Sequence, residues 1–274
     1  MADLKAIADR LIAAHDGATT LPPITAAAPD FSVADGYAVL HDIETRRRAQ
    51  GWRAVGRKIG FTNRTIWPRY GVYRPMWAHV WAHTVRFGDN GKATLSLKGL
   101  VRPRIEPEVV FKLNGPVPVS TDPMAILVAT EWIAPGFEIV QSHFPDWKFT
   151  APDCTAAFGL HGALVIGAPV SLTDANRRSF AEALTSFKLT LSRGDEVIDR
   201  GIGSNVLDSP ALALGHLARV LSSQPWAPPL ATGEIVTTGT ITDAWPVTPG
   251  ETWSSDYGTL GINGLSLQFD ALQH

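Results

Sequence analysis

Residues 104–111 read RIEPEVVF and carry two carboxylates, Glu106 and Glu108, two positions apart in a stretch with strand character. Successive strand side chains point to opposite faces, so these two acids project to the same side. Neighbouring carboxylates repel and raise each other's pKa unless a cation lies between them. A hard divalent ion, Mg²⁺ or Mn²⁺, is the natural partner of such an oxygen-only pair. The plainer alternative is a solvated strand face with two glutamates. Thirty residues on, PGFEIVQ at 135–141 sets Glu138 in an apolar run, where an unpaired carboxylate is costly to bury. Service as a third ligand accounts for it; so does an edge-strand pairing with an arginine. Upstream, GRKIGFTN at 56–63 flanks Lys58 with glycines, which admit close backbone approach while the lysine supplies a point cation.

The remaining chemistry-bearing residues give weaker signals. Cys154 has no nucleophile context and reads as a small apolar filler. His79, His83, His143 and His161 could form a proton relay, although no zinc-type spacing joins them. Trp67, Trp77 and Trp81 could line a pocket, with core packing as the alternative.

The elements that must position these groups follow from periodicity and punctuation. Leu4, Ile7, Ala8, Leu11 and Ile12 recur at helical spacing behind a potential N-cap, Asp3. A proline-containing break precedes a second helix, which starts at Ser32 with Asp35 placed to complete a capping motif and runs to about Ala49. Beyond it the period shortens, with β-type runs at 92–97, 108–113 and 138–140. A hairpin is predicted around the 193–195 turn, and a helix behind Pro210 with Leu214, Leu217 and Leu221 as its buried stripe. Short strands fill the tail. The expectation is an α+β protein, with a helical N-terminal region at 1–60 and a β-rich core at 61–274.

Composition narrows the class. The chain has 274 residues, a formal net charge of −2, and 45% hydrophobic residues. That is enough chain and apolar content for a sizeable core, and too little positive charge for a nucleic-acid binder. A single cysteine fits a reducing compartment, and no apolar run reaches the length of a bilayer span. A cytoplasmic protein with neither nucleic-acid nor membrane partners is expected.

The segments GRKIGFTN, RIEPEVVF, GFEIV, DWKFTAPD and GEIVTTGT, in that order, resemble the fumarylacetoacetate hydrolase superfamily. The closer resemblance is to its 2-keto-4-pentenoate hydratase and 4-oxalocrotonate decarboxylase branch. The resemblance implies a mixed β-roll core, a metal site for Mg²⁺ or Mn²⁺ on Glu106, Glu108 and Glu138, and an active-site lysine at Lys58. It also implies pocket roles for Lys148 and Asp153, a substrate-side turn at Thr238, Gly239 and Thr240, and a homo-oligomer. The sequence departs from the hydratase pattern at Met76, Trp77, Phe158 and Leu160, where polar residues are usual. A more apolar pocket, and a substrate with an apolar tail, are expected from that change. The hydrolase branch carries a His-x-x-Glu pair that activates water. Here His41 and Glu44 have that spacing on the second helix, with an ordinary polar helix face as the alternative. The expected activity is hydration of a 2-hydroxy-dienoate through a 2-oxo acid. C–C cleavage by decarboxylation or hydrolysis is the second choice, and a non-catalytic ligand binder the third.

Overall fold

The computed structural model describes residues 2–271. Helix α1 (Leu4–Asp16) begins at Asp3, whose carboxylate accepts from the Ala6 amide, and the short α2 (Ile24–Ala27) follows. Helix α3 (Val33–Ala49) opens on a reciprocal capping box between Ser32 and Asp35, which satisfies two amides that the helix itself cannot. These helices bury Ile7, Leu11, Val39 and Ile43 against one another and against Phe144 and Phe158 of the later chain.

Strand β1 (Ala54–Gly60) comes next. It was grouped with the helical region in the 1–60 division, but it is hydrogen-bonded into the central sheet, so the helical part ends before Ala54. After helix α4 (Trp67–Tyr70) come β2 (Met76–Trp81), β3 (Val85–Phe87) and β4 (Lys92–Leu95). The two long strands are β5 (Arg104–Leu113) and β6 (Thr130–Val140), separated by α5 (Pro123–Val128). Both are longer than the runs expected at 108–113 and 138–140. The chain continues through α6 (Ala151–Ala156), β7 (His161–Ile166), β8 (Val170–Ser171) and α7 (Arg177–Ser186). The expected hairpin is β9 (Lys188–Arg193) with β10 (Glu196–Ile202), and the expected helix is α8 (Pro210–Ser222). The tail forms β11 (Ile235–Thr237), β12 (Trp245–Pro246), β13 (Thr252–Asp256) and β14 (Leu265–Phe269).

The main sheet is mixed and runs β2-β1-β11-β5-β6-β7-β3, with β12 and β8 pairing to β5 and β6 off that path. Strands β1 and β11 are parallel, and β11 lies antiparallel to β5. A second sheet, β10-β9-β13-β14-β4, lies beside it. Shared apolar residues such as Phe111, Phe137, Phe187, Trp253 and Leu267 join both sheets into one core. This is the α+β, mixed-sheet architecture expected from the sequence. The register across β5 and β6 is what positions the site. Glu106 stands opposite Glu138, and Glu108 opposite Gly136. No described helix is long and apolar enough to cross a membrane.

Candidate metal centre

The same-face rule within β5 and the cross-strand pairing to β6 put Glu106, Glu108 and Glu138 on one patch. Each offers a carboxylate oxygen within 4.8 Å of the others'. Glu108 and Glu138 are fully buried, while Glu106 is half-buried and faces a cavity.

Each acid is held differently. Glu108 Oε2 accepts from the Gly239 amide at 2.6 Å and from the Thr237 hydroxyl, while its buried Oε1 has no hydrogen-bond partner. Glu138 Oε1 lies 2.8 Å from His161 Nδ1, and its Oε2 lies 3.0 Å from Lys58 Nζ. Lys58 arrives on β1 and also donates to the Gly159 carbonyl at 3.1 Å. The Tyr257 hydroxyl secures β5 by donating to the Glu108 carbonyl at 2.6 Å.

Electrostatics separates the three carboxylates. Burial raises the Glu106 pKa to about 7, with Lys58 opposing the rise and Glu138 adding to it. Glu108 is pushed well above the usual range, first by burial and then by Glu138 and Glu106. Burial also pushes Glu138 up, but Lys58 and His161 outweigh it and hold that carboxyl below the usual range. Burial works against the Lys58 ammonium too, and the three glutamates more than offset it. Two buried acids and a half-buried third, served by one lysine and with an orphaned oxygen on Glu108, are under-compensated in charge. An oxygen-only trio of this kind fits a hard divalent cation.

Gly239 shows why the Thr-Gly-Thr turn needs its glycine. Its φ is 96°, and an added Cβ would lie 1.8 Å from the Thr62 hydroxyl oxygen. The turn therefore passes close to β1 while its amide reaches Glu108. Gly239 and Thr240 line the cavity, whereas the Thr238 hydroxyl turns away and donates to the Val109 carbonyl. The Thr240 hydroxyl donates to the Thr242 carbonyl and accepts from the Thr242 amide.

Several expected site residues lie elsewhere. Asp153 is buried as the capping residue of α6, accepting from the Thr25 and Thr150 amides and hydroxyls. It does not line the cavity. Lys148 is exposed and does not line it. His41 and Glu44 form no pair. His41 is exposed beside the Trp226 ring, while Glu44 points inward to His79 Nδ1 at 2.7 Å. Of the four apolar replacements, Leu160 alone lines the cavity. Met76 packs behind that wall with Val72 and Cys154. Trp77, on the opposite face of β2, stacks on Trp226, and Phe158 meets His15 of α1 at 4.5 Å.

The apolar wall expected of Met76, Trp77 and Phe158 is built instead from Phe61, Ile66, Tyr70, Val140, Trp147 and Phe149. Trp147 and Phe149 flank Lys148 in DWKFTAPD, so that segment reaches the cavity through its aromatic residues and not through its lysine. An aromatic pair at i and i+2 on either side of an exposed lysine is the signal that marks them. His161, one of four histidines with no assigned place, is the one that reaches the acidic patch.

No protein-family model matches the chain. It is similar to 2-hydroxyhexa-2,4-dienoate hydratase of Comamonas testosteroni, 31% identical over 264 residues that span 95% of each chain. The chain belongs to the 2-keto-4-pentenoate hydratase and 4-oxalocrotonate decarboxylase branch. A further relative in the branch is 2-keto-4-pentenoate hydratase of Paraburkholderia xenovorans (strain LB400), 29% identical over 97% of this chain and 94% of that one. The fold of 4-oxalocrotonate decarboxylase from Pseudomonas putida G7, solved with magnesium and adipate, matches with a TM-score of 0.85 over 97% of both chains at 23% identity.

Proposed function

We propose that this protein is a divalent-metal-dependent hydro-lyase of the 2-keto-4-pentenoate hydratase type, acting on a small 2-oxo acid or its 2-hydroxy-dienoate form. The reading rests on the meeting of Glu106, Glu108 and Glu138 within 4.8 Å, with Lys58 against the third of them. The three glutamates would hold Mg²⁺ or Mn²⁺. Bound there, the ion supplies Lewis acidity toward the carboxylate and 2-oxo oxygens of a substrate.

The protein's own groups do the rest. Lys58 keeps its proton, because three carboxylates face it, and is fixed by Glu138 and the Gly159 carbonyl at the cavity floor. It is the group placed to hold or hand over a proton at a substrate oxygen. His161, between Glu138 and the Thr84 hydroxyl at 2.8 Å from each, keeps the Glu138 carboxylate in one orientation. Phe61, Tyr70 and Phe149 exclude bulk water from the substrate's side of the cavity.

C–C hydrolysis loses support because the water-activating His41–Glu44 pair is not formed. We further propose a cytoplasmic homo-oligomer; Tyr73 and Phe87, 65% and 59% exposed, are apolar groups that an interface would cover. The test of function is turnover of 2-hydroxypenta-2,4-dienoate with added Mg²⁺ or Mn²⁺, followed as loss of its conjugated absorbance. Turnover that stops on chelation and returns with metal is the expected result. Metal binding without turnover of any 2-hydroxy-dienoate would overturn the hydratase reading in favour of decarboxylation of a 2-oxo acid, or of a ligand binder if no carbon dioxide is released either.

A further inference from the structure

The cavity has two unlike halves. Its floor carries Lys58, Glu106 and Thr240, whereas its outer half is closed by Phe61, Tyr70, Trp147 and Phe149. The Tyr70 and Phe149 rings are parallel within 3°, with centroids 5.9 Å apart, and Phe61 stands edge-on to both at 82° and 84°. Trp147 continues the wall, 6.2 Å from Phe149.

This wall is held against backbone preference. Phe61, Trp147 and Leu160, all facing the cavity, have φ of 56°, 57° and 64°, in the left-handed region that bulky residues avoid. Strained backbone of this kind persists where the surrounding fold imposes it, and it clusters at ligand sites.

No wall residue is a cation, and Lys148, between Trp147 and Phe149, is exposed and does not line the cavity. Among the described residues no arginine lines the cavity. Arg104 does not line it; it donates to the Tyr70 hydroxyl at 2.7 Å and lies 4.2 Å from the Trp147 ring centroid, which fixes its guanidinium against the wall residues. Arg69 is exposed and paired with Asp243, and Arg74 is exposed. A carboxylate entering this half would shed its water and find no cation among the residues that line it. A planar apolar group would instead find ring faces and edges to pack on.

We infer that this half of the cavity selects a 2-oxo acid carrying an aryl tail and rejects a second carboxylate. The inference rests on the proposed function, because the head of the same substrate must sit on the glutamate floor.

The test is calorimetric titration of the Mn²⁺-loaded protein with four compounds. Pyruvate reports the head alone, while 2-oxo-4-phenylbutanoate, 2-oxohexanoate and 2-oxoadipate add aryl, alkyl and carboxylate tails. The phenyl compound is expected to bind about 10-fold tighter than 2-oxohexanoate. 2-Oxoadipate is expected to bind no tighter than pyruvate. In Phe149→Ala the phenyl advantage should collapse while pyruvate affinity is retained, which a misfolded variant could not show. Binding of 2-oxoadipate as tight as that of the phenyl compound, lost in Arg104→Gln, would overturn the inference and make Arg104 a carboxylate reader. Equal affinity for all three tails would overturn it as well, leaving the functional reading in place. Absence of metal-dependent pyruvate binding would overturn the functional reading and this inference together.

Discussion

Two carboxylate–histidine pairs lie buried in this molecule, and they are nearly the same at short range. Glu138 meets His161 Nδ1 at 2.8 Å, and Glu44 meets His79 Nδ1 at 2.7 Å. Their surroundings differ. Around Glu138 stand two more carboxylates, an orphaned Glu108 oxygen, a lysine and a cavity. Around Glu44 and His79 stand Trp77 and Trp81 in the packing between α3 and β2. The second pair lies away from that cavity, and its Glu44 carboxylate also accepts from the His79 amide at 3.4 Å. A pair so placed is architecture. A pair embedded in uncompensated charge has binding capacity left over.

Substitutions should separate the two. Glu106→Gln removes one anion from the trio without touching the Glu138–His161 contact. Mn²⁺ affinity and turnover should fall by about 100-fold or more, with the melting curve of the metal-free protein unchanged or raised. Retained Mn²⁺ binding by titration would contradict the site. His161→Ala, which frees the Glu138 carboxylate to rotate, should cost about 10- to 100-fold in metal affinity. A loss of stability with no loss of affinity would make His161 equivalent to His79.

Acidity offers a graded version of the same comparison. In the metal-free protein Glu106 keeps its proton up to about pH 7, because burial disfavours its charge. An ion must displace that proton below this value and meets a free carboxylate above it. Mn²⁺ affinity should therefore fall as the pH drops through 7, by about tenfold per unit for each proton displaced, with the raised Glu108 carboxyl adding to the Glu106 effect. A flat profile from pH 6 to 8 would show that Glu106 is already ionised.

The smallest catalytic effects belong to the other pair. Glu44→Ala strands buried His79 groups and should lower stability by about 2–4 kcal/mol in chemical denaturation. The kcat of the folded fraction should stay within about twofold of the parent value, as should that of His41→Ala. A 100-fold drop in His41→Ala would revive the hydrolase-type base.

Legibility in the sequence tracked the range of each interaction. Glu106 and Glu108 were readable because strand alternation is local, and the capping motifs at Asp3 and Ser32 were readable for the same reason. Glu138 was suggested by its cost in an apolar run, but its place opposite Glu106 depends on register across two strands. The spacing of His41 and Glu44 was also real, yet spacing does not say which residue faces inward. Glu44 turned toward His79 and left His41 outside. Asp153 failed through a hidden local motif, since Thr150 and Asp153 form a capping box. The aromatic wall was least legible. It depends on left-handed backbone at Phe61 and Trp147, which neither residue type announces.

Residues 158–161 show what such backbone permits. Phe158, Gly159 and Leu160 have φ of 56°, 58° and 64°. Phe158 is seated among the N-terminal helices, the Gly159 carbonyl takes the Lys58 proton donor, Leu160 faces the cavity, and His161 holds Glu138. Four consecutive residues thus report to four different neighbourhoods, like a junction in a wiring harness. Gain or loss of one residue there would hand every connection to the wrong terminal at once. The helical region donates no ligand, yet it grips one end of that junction. Removing it should be felt as slack at the lysine and at the third glutamate, which makes a part remote from the chemistry a tensioner for it.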